Sequence, residues 1–102
     1  MSEIERYQSI LARLQATFEA KNHDYGNAFH EIYLELGVSY SYGKLREKLN
    51  RIKTLMKEES QVKGESMYDS LLDLASYAIL TIMELEENQA YKFKGDMGMN
   101  VK

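Results

Sequence analysis

Apolar residues return every three or four positions in four stretches of the chain, and no stretch alternates apolar and polar residues as a strand does. Ile4, Tyr7, Leu11, Leu14 and Phe18, with Ile10 beside them, mark a first helix running to about Lys21. Ser2 and Glu5 stand in front of it in the spacing of a capping box, in which a serine hydroxyl and a glutamate each bond the other's backbone N–H. "KNHDYGN" interrupts with turn-forming Asn22, Asp24, Gly26 and Asn27. Ala28, Phe29, Ile32, Tyr33 and Leu36 predict a short second helix closed by Gly37. "VSYSYG" reads as a loop or extended stretch, and Leu45, Leu49, Ile52 and Met56 predict a third helix over about 42–59. A fourth begins near Ser66 and runs to about Ala90, apolar round most of its girth, so it is expected to sit centrally. The expected fold is all-α: an antiparallel bundle of about four helices, one domain over 1–90, with a flexible tail at 91–102.

The fourth helix also carries acids. Glu65, Asp69, Asp73 and Tyr77 recur at four-residue spacing, which stacks them on one face, although Glu65 joins only if the helix starts early. Asp69, three residues after Ser66, suits a helix N-terminus. Asp73 lies two turns in, between leucines, where an unpaired buried carboxylate costs several kcal/mol. It calls for a cation. Lys48, Arg46 or Arg51 could supply one as a structural ion pair, and a divalent metal or a substrate site is the alternative. On the third helix Glu47 and Asn50 point away from the apolar stripe and read as solvent-facing, with Glu47–Arg51 an ordinary ion pair of small worth. They could meet Asp73 only if that helix has a second packed face, against the fourth helix or a partner subunit.

Composition narrows the chemistry. The chain has no cysteine, which excludes disulfides and thiolate metal sites, and its two histidines alone make a poor zinc site. A metal site is expected to be built from oxygens, for Mg²⁺, Mn²⁺ or Ca²⁺. A net charge of −3 gives no basic surface for nucleic acid. The longest apolar run, Leu74–Leu85, is broken by Ser76, Thr81 and Glu84 and is too short for a bilayer, so a cytoplasmic protein is expected. So small a bundle with so apolar a fourth helix is expected to be a homodimer or homotetramer.

Three blocks in order resemble the nucleotide modification associated domain 1 family, small proteins common in phages and prophages. They are Lys21, Asp24, Tyr25 and Gly26; then Glu47, Lys48, Asn50 and Arg51; then Glu65, Ser66, Asp69, Asp73 and Tyr77, spanning about 21–85. The last two blocks also distantly resemble the all-α MazG-like nucleotide pyrophosphohydrolases, whose paired acids hold Mg²⁺ against phosphates. Here Asn50 stands where that pattern has an acid, and Asp69 and Asp73 are four apart rather than three. The resemblance implies a nucleotide-recognising protein of nucleotide metabolism or modification.

Three readings follow. In the first, a Mg²⁺-dependent enzyme (Mn²⁺ substituting) cleaves a phosphoanhydride, with Glu47, Asn50, Asp69 and Asp73 as ligands and Asp73 and Glu47 catalytic. Lys48 and Arg51 would neutralise the phosphates, Tyr25 or Tyr77 would stack on the base, and Asn22 or Asp24 would read its edge beside Lys21. In the second, the same pocket binds without cutting, sequestering a nucleotide signal of host antiphage defence in the host cytoplasm. In the third, the helical surface inhibits a host enzyme. Tyrosines at helical spacing are also ordinary core residues, and Lys21 and Asp24 suit a turn alone equally well.

Overall fold

The computed structural model describes residues 1–25, 27–57 and 63–88, with only the backbone of residues 24, 25 and 63–65. Four helices form: α1 (Glu3–Tyr25), α2 (Ala28–Leu36), α3 (Val38–Leu55) and α4 (Lys63–Glu87), and the described residues contain no strand. The fold is all-α, as the periodicity predicts. Residues 91–102 and the turn glycine Gly26 lie outside the described residues.

The first helix starts as its sequence dictates. Ser2 N–H donates to Glu5 Oε1 at 2.9 Å, and Glu5 N–H donates to Ser2 Oγ at 3.1 Å, completing the capping box. The helix runs through Asn22 and Asp24, one turn beyond the expected end, because isolated turn-formers weaken a helix without stopping it. Gly37 ends α2, its N–H donating to the Tyr33 carbonyl at 2.7 Å. Its φ of 75° and ψ of −161° lie in a region essentially reserved for glycine. The chain reverses there within one residue, so α3 begins at Val38 and "VSYSYG" is its opening rather than a loop. A Cβ on Gly37 would meet nothing within 4 Å, so the backbone alone is strained. Gly37→Ala is expected to lose about 1–3 kcal/mol of stability, read as a lower urea midpoint with unchanged slope.

Helices α3 and α4 form an antiparallel pair, since Ser41 meets Thr81 at one end while Lys48 meets Asp73 further along. Ser41 and Ser70 are buried on this hairpin. The Thr81 hydroxyl donates to the Tyr77 carbonyl at 2.7 Å and shares a hydrogen bond with the Ser41 hydroxyl at 2.8 Å. The inward face of α3 is turned relative to its apolar stripe. Ser41, Leu45, Lys48, Ile52 and Leu55 are buried or half-buried, whereas Leu49 and Met56 are exposed. Lys48 pairs with Asp73, whose side chain is 38% exposed, so the carboxylate is not the buried charge that its leucine neighbours suggest.

The fourth helix starts at Lys63, earlier than expected. This places Asp69 seven residues in and exposed, so its expected role at the helix N-terminus is corrected. Glu65 falls within the helix, its side chain outside the described set. As expected, α4 is central, meeting each of the other three helices. Helix α1 is held more lightly. Of its apolar stripe only Leu14 is buried, and Ile4 and Tyr7 are each 67% exposed. Arg13 Nη1 donates to the Tyr68 hydroxyl at 2.6 Å, joining α1 to α4.

Candidate functional site

Because α1 touches α4 without filling the space beside it, a cavity of about 660 Å³ remains among the four helices. Its wall is largely apolar, with a few polar side chains, the composition typical of a small-molecule site. Leu14 and Phe18 of α1 and Leu80 and Met83 of α4 supply apolar surface. Lys21 and Asn22 contribute from the end of α1, and Asp73, Ser76 and Tyr77 from α4.

Three aromatic rings from three helices meet on one side. Phe29 lies 5.2 Å from Tyr40 and 6.1 Å from Tyr77 between centroids, nearly parallel to the latter at 29°. All three line the cavity. Lys44 Nζ sits 5.8 Å from the ring centres of both Tyr40 and Tyr77, a cation held over aromatic faces. One turn along α3, Lys48 Nζ pairs with Asp73 Oδ2 at 3.0 Å. The lining thus combines flat π surface, the Asp73 carboxylate and the Lys21 side chain, while Lys44 and Lys48 on α3 contact lining residues without lining the cavity themselves. The ion pair is the structural alternative that the sequence leaves open for Asp73, and it sits on the cavity wall.

The expected site residues divide into three groups. Asp73, Tyr77, Lys21 and Asn22 line the cavity, and Lys48 reaches it through Asp73. Glu47, Asn50, Arg51 and Asp69 are exposed, and Glu47 faces Lys44 at 3.9 Å on its own helix. Asp24 and Tyr25 have side chains outside the described set. Among the described residues the carboxylates of Glu47, Asp69 and Asp73 do not gather into one ligand set. Of the four residues expected to hold Mg²⁺, Asp73 lines the cavity, while Glu47, Asn50 and Asp69 are exposed.

Sequence reasoning missed Phe29, Tyr40 and Lys44 as site residues. Phe29 stands in the "KNHDYGNAF" block, a usable signal, but Tyr40 and Lys44 belong to the stretch taken for a loop and to the start of α3. It also missed a polar cluster at the other end of α4. His30 Nδ1 lies 2.9 Å from both oxygens of Glu84, a carboxylate only 6% exposed, and 4.0 Å from Glu87. The hydrogen bond to Glu84, opposed in part by burial, holds His30 above its ordinary pKa.

Fold and site together define a small all-α protein whose helices border a half-open cavity with an aromatic side and Lys21 on its lining. A family model described as nucleotide modification associated domain 1 matches residues 21–85, and the chain belongs to that family. The match takes in Lys21, Asn22, Phe29, Tyr40, Lys44, Lys48, Asp73 and Tyr77. Comparisons with curated proteins and with solved structures give no match. Among the described residues no helix is long and apolar enough to cross a membrane.

Proposed function

We propose that this protein binds a nucleotide in the cavity between α1 and α4, without needing a metal to do so. The observation that carries the reading is the Phe29–Tyr40–Tyr77 wall with Lys44 over two of its rings. A nucleobase is a flat π system that stacks on aromatic side chains, and its phosphates need compact cations, which Lys44, Lys48 and Lys21 supply. Asn22 offers both a donor and an acceptor to a base edge. Membership of a family associated with nucleotide modification supports the same ligand class. Sequestration of a nucleotide signal, in a phage setting and the host cytoplasm, is the biological role this binding fits.

Hydrolysis of a phosphoanhydride is the second reading, favoured by the place of Asp73 on the cavity wall. It needs further acids beside Asp73, which the described residues of one chain do not bring there and a partner subunit could provide. The exposed apolar stripe of α1 supports a homodimer or homotetramer, because contiguous apolar surface left open marks an interface.

The test is thermal unfolding with the common nucleoside mono- and triphosphates, with and without Mg²⁺, followed by ion-exchange recovery of the ligand. At a hundred times its Kd a ligand adds about 2.7 kcal/mol, so a binder shifts Tm by roughly 10 °C. A shift without Mg²⁺ and an intact ligand are expected. Pyrophosphate release that needs Mg²⁺ and vanishes in Asp73→Ala would establish the enzyme instead, and no shift with any nucleotide would remove both readings.

A further inference from the structure

We propose that His30, Glu84 and Glu87 form a binding site for a divalent transition-metal ion of the zinc, cobalt and manganese class, tying α2 to α4. The site is separate from the acidic row that ends at Asp73 and does not depend on nucleotide binding. Its three ligand atoms, one from each side chain, lie within 4.8 Å of one another. Metal–nitrogen and metal–oxygen bonds of this class are about 2.0–2.2 Å long, so two neighbouring ligands stand about 3.0 Å apart around an octahedral ion and about 3.4 Å apart around a tetrahedral one. His30 Nδ1 and Glu84, now joined by a hydrogen bond of 2.9 Å, need part only slightly to admit an ion in place of the proton. Glu87, at 4.0 Å and exposed, reaches the same point by a change of its own side chain.

Placement in the fold favours a cation independently of those distances. Glu84, Glu86 and Glu87 crowd the last turn of α4, where aligned peptide dipoles already concentrate negative charge, and that turn holds no basic residue. Among the described residues, the His30 side chain from α2 answers Glu84 there. Glu84 is buried, so its position is fixed in advance, while Glu87 one turn on shares its face of the helix. An imidazole beside two carboxylates selects a borderline metal over Mg²⁺ or Ca²⁺, which prefer oxygen alone. Binding releases the Nδ1 proton of His30 to solvent. Since Phe29 precedes His30 on α2, and Met83 precedes Glu84 on α4, an ion here would also fix two walls of the cavity relative to each other.

The experiment uses the full chain stripped with a chelator and dialysed, then titrated calorimetrically with Zn²⁺ and, separately, with Co²⁺ followed by visible absorption. One ion per chain is expected, with Mg²⁺ in large excess failing to displace it. His30→Ala and Glu87→Gln are each expected to weaken binding at least tenfold. Glu87 is exposed, so its variant keeps the fold, and unchanged circular dichroism confirms that. Absence of one-to-one uptake of either ion, uptake unaltered in both variants, or displacement by Mg²⁺ would overturn the site.

Discussion

Tyr77→Ala is expected to weaken nucleotide binding between about fivefold and a hundredfold, whereas Tyr77→Phe stays within a few-fold of the unaltered protein. Stacking of one base on an aromatic ring contributes about 1–3 kcal/mol, and 1.4 kcal/mol is tenfold in Kd. Tyr77 carries this loss because its ring lies against Phe29 and beneath Lys44. Truncation removes the face that the base would cover and the seat of the cation together. Phenylalanine restores the face and keeps the cation contact. Glu35→Ala, an exposed change on α2 away from the cavity lining, serves as the control and leaves affinity unchanged. Calorimetric titration with the best nucleotide from the thermal screen reads the effect. Equal affinity in Tyr77→Ala and Glu35→Ala would refute the aromatic wall as the base site.

The largest loss of stability is expected at Leu55. Its side chain is 3% exposed at the end of α3, and only Leu14 and Tyr33 join it as buried hydrophobic residues among those described. Truncating a buried leucine to alanine costs about 2–5 kcal/mol, through lost transfer energy and the cavity left behind. For a chain of this size each kcal/mol lowers Tm by roughly 4–8 °C, so Leu55→Ala should melt at least about 8 °C lower. Met56→Ala, next to it and exposed, should change Tm by only a degree or two. Similar melting of the two variants would mean that the core does not close around Leu55. Urea denaturation separates the same pair by midpoint.

Local signals carried the helices further than they carried the site. The capping box at Ser2 and Glu5 and the closure of α2 at Gly37 are decided by residues within four positions of one another, so a linear reading reaches them. The start of α3 is not local in that sense. "VSYSYG" has weak helical preference, and it becomes helical because Ser41 meets Thr81 and Tyr40 meets Phe29, partners supplied by other helices. The outward direction of Glu47 and Asn50 follows from an isolated helical wheel and holds in the folded chain. Asp73, Tyr77, Lys21 and Asn22 can be singled out along the chain because they stand in recognisable blocks, and the fold places all four on the cavity wall. Tyr40 and Lys44 were not, since nothing along the chain announces that three rings from three helices will share one wall. The pairing of His30 with Glu84, 54 positions apart, is likewise a product of packing alone.

The light attachment of α1 has a consequence for how ligands of different size are accommodated. The α3–α4 hairpin carries most of the packing, while the opposite side of the cavity is a long helix on which, among the described residues, Leu14 is the buried apolar residue and Arg13 bonds Tyr68. With so little of it buried, the position of that helix would be set in part by whatever occupies the proposed site. Part of the binding free energy then goes into stilling that helix, which trades tightness for tolerance of varied occupants.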